Sequence, residues 1–401
     1  MRTALVQLAC GLALVLAGGP VALSAADSAP LPFRIRGVAY PGRNAPLPTV
    51  SCLYARDLPL IALMGANTVR TYGLVPENDR TFQPVLESSG LHWLAGFPLD
   101  EFYDPSQTLA SREPLILEAF RKYAARFRGE KRLIGYVFGE NVATDHARKF
   151  GGSPEEFYSL LSRAAEILRE IDPARTPLLA TAVSNPAELT LEIPGLSFWC
   201  WNASSRPLRA GIEATRPVVI SEDGGATAEV AADEFGGVYA SFADSEAGLF
   251  RSEPTGQAGL DTLSPRPLYW RLAGLWGGTY PAAWVEKDKP RLAAPGGTTA
   301  AGVLVRLEGS SLVNSVAPYS DESWPYHLAG TCLCLAGAPA RMSFLSPRAV
   351  TAQIPSGAEP GPRLLIFYRA GQASDPVRID IGEFSTVTSA GPVIEARLRP
   401  R

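Results

Sequence analysis

The sequence is poor in charged side chains and in histidine. Charged residues make up 19% of its 401 residues, and 37 basic against 40 acidic side chains leave a net charge of −3. Proteins that bind nucleic acid usually carry a basic surplus, so the composition argues against nucleic acid as a partner. The three histidines, His92, His146 and His327, argue against a multi-histidine metal site, and no metal or other cofactor is expected.

Long apolar runs are absent after the first 26 residues. No later stretch reaches the roughly 18 apolar residues that a membrane-spanning helix needs. At the start, Arg2 precedes an apolar run over residues 5–21, and small residues at 24–26 form a cleavage site, which predicts a signal peptide over residues 1–26. An uncleaved anchor is the alternative, but glycine and proline inside the run favour cleavage. The protein is therefore expected to be secreted or periplasmic, without stable membrane insertion after signal removal.

Cysteine is also scarce. Of the five cysteines, Cys10 belongs to the predicted signal peptide. Cys52, Cys200, Cys332 and Cys334 remain, and an oxidising compartment allows them to form disulfides. Cys332 and Cys334 are too close in the chain to bridge easily within one strand. The pairing stays open, and Cys200 fits equally well as a small buried apolar residue.

Between residues 33 and 287, short apolar runs alternate with amphipathic segments. Ser153 followed by Pro154 and Glu156 predicts a helix start, and further helices are predicted at 113–128, 57–64 and 79–89. Strands that alternate with helices imply parallel pairing with crossover connections. The predicted strands are 33–40, 66–72, 91–98, 132–140, 177–183, 196–202, 217–222 and 275–284.

Eight such units match the size of a (β/α)8 TIM barrel. Residues 33–287 number 255, and this barrel typically has about 250 residues. We therefore predict an α/β fold of this type, with a long irregular insertion over residues 224–274 before the last strand. A doubly wound open sheet is the alternative, but no G-x-G-x-x-G motif follows the first predicted strand.

Beyond residue 290 the sequence pattern changes. Short alternating runs at 302–307, 341–345, 363–368 and 377–381 are separated by glycine, proline and serine, and no convincing helix pattern is present. This pattern predicts a small all-β sandwich as an accessory domain over residues 291–401, after a barrel domain over residues 27–290.

Polar and aromatic side chains gather at the C-terminal ends of the predicted barrel strands, where a barrel of this type builds its active site. Taken singly, each has a structural explanation, because strand-end carboxylates also cap helices and aromatic residues also fill cores. The set consists of Arg70, Tyr72, Glu140, Asn141, Trp201, Asn202, Glu222, Tyr280 and Trp284.

Taken together, this set suits cleavage of a glycosidic bond. Two carboxyl groups must flank that bond, one as proton donor and the other as nucleophile or base. Glu140 and Glu222, on predicted strands four and seven, face each other across the mouth of a small barrel. Arg70 is expected to keep the nucleophile ionised, because a nearby cation lowers the pKa of a carboxylate. Aromatic rings stack on sugar faces, and Asn141 or Asn202 bonds hydroxyl groups. An oligo- or polysaccharide is therefore the expected partner.

Several motifs occur together within residues 33–287. They are Arg-Gly-Val-Ala-Tyr at 36–40, Cys52 with Arg-Asp-Leu-Pro at 56–59, Leu-Met-Gly-Ala-Asn-Thr-Val-Arg-Thr-Tyr at 63–72, Ser-Glu-Asp-Gly at 221–224 and Gly-Gly-Thr-Tyr at 277–280. In these motifs the chain resembles the clan A retaining glycoside hydrolases, and most of all the β-1,3-glucanosyltransferases of glycoside hydrolase family 72. The resemblance implies a hydrolase or transglycosylase acting on a β-glucan, with Glu222 as nucleophile and a carboxylate of strand four as acid/base.

The chain departs from that family in strand four. Family members have Gly-Asn-Glu where this chain has Gly139-Glu140-Asn141, so in plain register Asn141 takes the acid/base position. Since strand side chains alternate between faces, a slip of one residue matters. A β-bulge near Gly139 would return Glu140 to the site, and we expect Glu140 in that role. Otherwise Asp100 or Glu101, at the end of strand three, would have to substitute.

Two other functions stay open at this point. A catalytically degenerate barrel would act as a carbohydrate-binding or scaffold protein, and the exchanged order of Glu140 and Asn141 supports it. A metal-dependent hydrolase would use Asp100, Asp145 and His146, although their spacing matches no usual ligand set.

Overall fold

The computed structural model describes residues 31–40, 47–140, 152–174, 176–202, 214–221, 236–242, 248–253, 261–279, 289–318, 324–335 and 338–382. The predicted signal peptide, residues 1–26, lies outside these ranges. In the described ranges, no helix combines the length and the apolar character needed to cross a bilayer.

The first part of the chain forms an α/β barrel of parallel strands. The strands are β1 Ile35–Tyr40, β2 Thr68–Thr71, β3 His92–Phe97, β4 Leu133–Glu140, β5 Leu178–Val183, β6 Phe198–Asn202, β7 Val218–Ser221 and β8 Gly236–Ser241. Each strand pairs with the next in chain order, and β8 pairs with β1, which closes the barrel. The predicted barrel architecture is therefore confirmed, and seven of its strands lie where the sequence predicts them.

Helices make the crossover connections among the first five parallel strands, and a further helix follows the last barrel strand. The helices are α1 Leu47–Leu63, α2 Phe82–Ser88, α3 Leu109–Arg126, α4 Pro154–Ile171 and α5 Pro267–Trp276. Thr108 caps α3 by accepting a hydrogen bond from the backbone N–H of Ser111. Pro154 stands in the first turn of α4, where its missing N–H does no harm. Between β5 and β6 the connection contains a 3-10 helix, Pro186–Thr190.

The structure corrects the position of the eighth strand. The sequence predicts it at residues 275–284, but α5 continues to Trp276, and Gly277 follows with φ +70 as a left-handed helix cap. The observed β8 lies at 236–241, inside the segment predicted as an irregular insertion. A short apolar run fits a buried helix as well as a strand. Pro267 in the first turn and Gly277 just after the last are the signals that identify the helix.

Two apolar layers pack on the barrel sheet. Inside it, small side chains such as Ala39, Val137 and Cys200 fill the centre. Outside it, larger side chains fill the space beneath the helices, and Trp93 meets the rings of Phe82 and Phe127 at centroid distances of 4.9 and 4.8 Å. Because both faces of each strand are covered, the strands read as nearly continuous apolar runs.

A second set of strands follows the barrel. The antiparallel pair β9 Phe250–Glu253 and β10 Thr262–Pro265 comes first. The remaining strands are β11 Arg291–Leu292, β12 Thr298–Thr299, β13 Leu304–Ser310, β14 Ala317–Pro318, β15 His327–Leu328, β16 Thr331–Leu335, β17 Ala338–Ser346, β18 Ala349–Gln353, β19 Gly361–Arg369, β20 Gln372–Ala373 and β21 Val377–Ile381.

Strands β11 to β21 form one sheet with the main order β11-β13-β18-β17-β16-β19-β21-β12. Alternation along its central strands covers both faces: Leu333 and Phe367 enter a core of their own, whereas Cys334 and Tyr368 enter the barrel's outer layer. The sandwich arrangement and the boundary at residue 290 stay predictions.

A disulfide attaches this sheet to the barrel. Cys52 of α1 is bonded to Cys334 of β16 across a sequence separation of 282 residues, with the two Cα atoms 6.1 Å apart. The structure thus supplies the pairing that the sequence leaves open. Cys200 and Cys332 are free thiols, and both are buried.

Candidate active site

Four predicted site residues lie at the C-terminal end of the barrel. Arg70 is the third residue of β2, Tyr72 directly follows that strand, Glu140 ends β4 and Asn202 ends β6. The other strand-end predictions, apart from Trp201, lie outside the described residues; they are Asn141, Glu222, Tyr280 and Trp284.

A β-bulge in β4 turns Glu140 towards the inside of the barrel. Val137 pairs with Ala180 of β5. The next pair joins Glu140 to Ala182, so β4 has one residue more than β5 over this stretch. Gly139, inside the bulge, has φ +72, a left-handed conformation that glycine adopts without a steric penalty. Ala180 and Ala182 both belong to the interior cluster, so Glu140, which is paired with Ala182, also faces the interior. In a regular strand the residue after Glu140 would take this inward position, because side chains alternate between the two faces.

Glu140 lies beside a buried cation and a side-chain amide. Arg70 Nη2 and Asn202 Nδ2 each donate to Glu140 Oε1 over 3.5 Å, at the long end of the hydrogen-bond range. The Arg70 side chain is 2% exposed, whereas the Glu140 side chain is 34% exposed. A ligand at the barrel mouth can therefore reach the carboxylate, while the cation stays beneath the surface.

Tyr72 holds Arg70 from a second direction. The guanidinium carbon of Arg70 lies 4.4 Å from the centroid of the Tyr72 ring, a cation–π contact. Such contacts contribute about 1 kcal/mol or more when the cation is shielded from water. The ring therefore helps to fix the orientation of the cation next to Glu140.

Cys200 is buried, as the sequence allows, but it also belongs to the floor of this site, which was not predicted from the sequence. It precedes Asn202 by two residues on β6, so the two side chains share the inner face. Burial raises the pKa of the Cys200 thiol to about 11, with Arg70 acting against this shift and Glu140 adding to it. The thiol is uncharged at neutral pH and is therefore a poor nucleophile. Its two-residue spacing from Asn202 is the sequence signal that could have identified it.

Trp201 does not join this group, which corrects its predicted role as a sugar-binding residue. Its side chain is 2% exposed and belongs to the outer apolar layer together with Trp199. Because successive side chains of a strand point to opposite faces, Trp201 faces the outside of the barrel when Asn202 faces its mouth. Trp201 is a core residue.

The alternative acids of strand three lie beyond the end of β3. Asp100 and Glu101 belong to a 3-10 helix over 100–102, and both are exposed. Partial burial of its carboxyl group raises the pKa of Glu101. The contacts with Arg70 and Asn202 make Glu140 the stronger candidate for acid/base chemistry.

One cavity lies at the other end of the barrel. It has a volume of about 390 Å³, and Phe33, His92, Leu133 and Leu178 line it near the starts of their strands. Barrel enzymes carry out their chemistry at the C-terminal ends of the strands, so this cavity is not assigned to catalysis.

The hypothesis of a metal-dependent hydrolase receives no support from the described ranges. In these ranges no group of three or more histidine, cysteine or carboxylate side chains is suited to hold a metal ion. Asp145 and His146, two of the three ligands that this hypothesis requires, lie outside them.

No protein-family model and no curated protein matches the chain. Among solved structures, it is similar to β-glucuronidase 2 of Bacteroides uniformis covalently bound to cyclophellitol-6-carboxylate aziridine, with a TM-score of 0.45 and 15% identity over 87% of this chain and 46% of that one. For a β-D-glucuronidase of Dictyoglomus thermophilum the TM-score is 0.43, with 14% identity over 61% of this chain and 51% of that one. For an endo-β-1,4-mannanase of Thermotoga petrophila the TM-score is 0.40, with 11% identity over 87% of this chain and 98% of that one. The chain spans about half the length of the two β-glucuronidases.

Proposed function

We propose that the protein is a retaining glycoside hydrolase or transglycosylase that acts on a β-glucan, with β-1,3 linkages favoured. The observation that carries this proposal is the bulge at Gly139, which turns Glu140 into the barrel next to Arg70 and Asn202. With this bulge, the exchanged order of Glu140 and Asn141 no longer argues against an acid/base on strand four. The motifs around Arg70 and Glu222 support the choice of sugar.

The proposed reaction consists of two displacements at the anomeric carbon. In the first, the Glu222 carboxylate attacks this carbon, the bond to the leaving oxygen breaks, and Glu140 gives its proton to that oxygen. The product is a glycosyl ester of Glu222. In the second, ionised Glu140 takes a proton from water or from a sugar hydroxyl, whose oxygen displaces Glu222. Water leads to hydrolysis, a sugar hydroxyl leads to transfer, and both outcomes retain the anomeric configuration.

The neighbours of Glu140 have supporting roles in this proposal. Arg70, which the sequence assigns to the nucleophile, contacts Glu140 in the described residues, and its buried charge favours the ionised Glu140 carboxylate that follows proton transfer. Asn202 contacts the same carboxylate oxygen and so restricts its orientation. Tyr72 holds Arg70 in place. Residues proposed to contact sugar rings and hydroxyl groups are Asn141, Tyr280 and Trp284.

We propose that this reaction takes place outside the cytoplasm. The basic, apolar and small-residue pattern of residues 1–26 is that of a secretory signal. The Cys52–Cys334 disulfide supports the same conclusion, because disulfides persist in oxidising compartments.

Assays on purified β-1,3-, β-1,4- and β-1,6-glucans test the proposal. The wild type is expected to turn over the β-1,3-glucan and to form products with retained configuration, measured by proton NMR. Glu222→Gln and Glu140→Gln are each expected to lower kcat by about 10²–10⁴-fold. Glu101→Gln serves as the control and is expected to keep wild-type activity. Azide is expected to restore turnover of an aryl glycoside by Glu140→Ala, because a small nucleophile resolves the glycosyl ester without a base.

Two results would overturn the proposal. The first is an absence of turnover on the whole panel, and the second is unchanged turnover in both glutamate variants. Glucan binding without turnover, in the wild type and the variants alike, would identify the protein as a carbohydrate-binding barrel instead.

A further inference from the structure

A buried polar network begins at the C-terminal end of β1. The hydroxyl of Tyr40, the last residue of that strand, donates to Asp57 Oδ2 over 2.8 Å. Asp57 Oδ1 accepts a hydrogen bond from Arg56 Nε over 2.5 Å. The exposed fractions of Tyr40, Asp57 and Arg56 are 3%, 0% and 4%, so water does not compete for these contacts. The network therefore holds the end of β1 to helix α1.

The other end of the network is anchored on the strands that follow the barrel. Arg56 Nη1 donates to the backbone carbonyl of Asp261, the residue before β10, over 2.5 Å. The Arg56 guanidinium also lies 5.4 Å from the centroid of the Tyr368 ring on β19. One helical turn earlier, Cys52 forms the disulfide to Cys334 of β16. The strands that follow the barrel thus hold α1 at two successive turns.

The end of β1 is next to the candidate active site. In the ladder between β1 and β2, Ala39 pairs with Arg70 and Tyr40 pairs with Thr71. Thr71 Oγ1 in turn accepts hydrogen bonds from Trp93 Nε1 over 3.0 Å and from the Gly96 backbone N–H over 3.3 Å. A shift of the end of β1 is therefore passed directly to the strand that carries Arg70.

We propose that Arg56 is a positioning residue for the site at the barrel mouth, acting through Asp57, Tyr40 and strand β1 on Arg70. The C-terminal sheet is then a structural part of the active site and not only an appended module. A buried ion pair is suited to this task, because its desolvation limits its net stabilisation while its directional bonds restrict geometry. The kinetic part of this inference rests on the proposed function.

Charge and geometry at Arg56 both fit this role. Burial by itself lowers the pKa of Arg56, but the adjacent Asp57 raises it, and the net shift is upward, so the guanidinium stays charged. Its planar fork can bond Asp57 and the Asp261 carbonyl at the same time, which a lysine ammonium on a flexible stem reproduces poorly.

Two conservative variants test the inference. Tyr40→Phe removes only the hydroxyl that contacts Asp57, and Arg56→Lys keeps the charge but loses the fork. Each is expected to lower kcat on β-1,3-glucan by about 10- to 100-fold with KM within about twofold, because a small misplacement of reacting groups acts mainly on the chemical step. The double variant is expected to be no slower than the slower single variant, since both changes interrupt one chain of contacts.

Tyr158→Phe is the matched control. It also removes a tyrosine–carboxylate hydrogen bond, from Tyr158 to Glu188 over 3.0 Å, but on helix α4. This variant is expected to keep the wild-type kcat. Tyr40→Phe carries the test by itself if Arg56→Lys does not fold.

A second measurement does not depend on activity. The indole N–H of Trp93, bonded to Thr71, reports on the end of β2 in a spectrum of the protein labelled with ¹⁵N-tryptophan. Tyr40→Phe and Arg56→Lys are expected to shift this resonance, and Tyr158→Phe is expected to leave it in place. If the wild type lacks glycosidase activity, the proposed function fails and the resonance alone decides the positioning role. Unchanged kcat and an unchanged Trp93 resonance in Tyr40→Phe would show that the network only adds stability, which would overturn the inference.

Discussion

Gly139 and Gly129 have nearly the same backbone conformation, with φ +72 and φ +75. Only Gly139 lies in the bulge below Glu140, whereas Gly129 lies just beyond the end of α3, with open space where the methyl group of an alanine would lie. An L-residue in this left-handed region costs about 1–2 kcal/mol. The two glycines therefore allow the strain of a substitution to be separated from its effect on the site.

At the residue scale, Gly139→Ala is expected to reduce kcat on β-1,3-glucan at least about tenfold, because relief of the strained bulge turns Glu140 away from the mouth. Gly129→Ala is expected to lose similar stability and keep wild-type kcat. Thermal unfolding and steady-state kinetics of both variants provide the measurements. Equal kcat values in the two variants would contradict the importance of the bulge.

At the element scale, helix α1 and strand β16 are joined by the Cys52–Cys334 disulfide across 282 residues. A cross-link that closes a long loop stabilises the fold mainly by restricting the unfolded chain. The adjacent thiol Cys332 is buried and free, so it provides a control for the loss of a cysteine alone.

Replacing Cys52 and Cys334 together by alanine is expected to lower the free energy of unfolding by about 2–5 kcal/mol. Urea unfolding with and without a reductant measures the effect. Reductant is expected to destabilise the wild type and Cys332→Ala, but not the double variant. A wild type that is insensitive to reductant would argue that the bridge contributes nothing.

A second contact between elements involves a histidine. His327 of β15 and Ser88 of α2 form a side-chain hydrogen bond of 2.7 Å between Oγ and Nε2. Burial lowers the pKa of His327 to about 4. The unfolded chain binds this proton at the ordinary histidine pKa of about 6.5, so between these pH values the unfolded state holds more protons than the folded state.

Stability is therefore expected to decline as the pH falls from about 6.5 to about 4, and His327 accounts for at most about 3 kcal/mol of the loss. Urea unfolding at several pH values measures this. His327→Gln is expected to flatten the dependence relative to wild type, whereas Ser88→Ala, which keeps the imidazole, is expected to retain most of it. If the free energy of unfolding falls equally steeply with pH in His327→Gln and in the wild type, the decline belongs to other titratable groups.

At the scale of the whole molecule, the barrel and the C-terminal sheet share one apolar layer. Cys332, Cys334, Ile366 and Tyr368 are buried in the same cluster as α1 of the barrel. Removing the sheet would expose the α1 side of this layer to water, and large exposed apolar patches promote aggregation.

A chain truncated to residues 27–290 is therefore expected to aggregate or to unfold at a lower temperature than a chain of residues 27–401. Thermal unfolding, size-exclusion chromatography and binding of a hydrophobic dye compare the two. A truncated barrel that stays monomeric with an unchanged Tm would show that the two parts are independent.

Much of the barrel could be predicted from the sequence because its signals are local. Apolar runs mark buried parallel strands, and Pro154 at a helix start and the glycines after helices mark the boundaries. The eighth strand could not be predicted in this way. The segment 236–241 is short and begins with two glycines, whereas the end of α5 is an apolar run of the kind that also occurs in strands.

The sequence by itself determined which residue types end the barrel strands, because this requires only the strand pattern and the polar residue that follows it. Arg70, Glu140 and Asn202 were identified on that basis. Only the tertiary structure decided which way Glu140 points, because the bulge is defined by the register between β4 and β5. It also decided that Trp201 is a core residue, that Cys52 pairs with Cys334, and that Arg56 joins the strands that follow the barrel to the barrel mouth. Each of these depends on contacts between residues far apart in the chain, which local pattern does not encode.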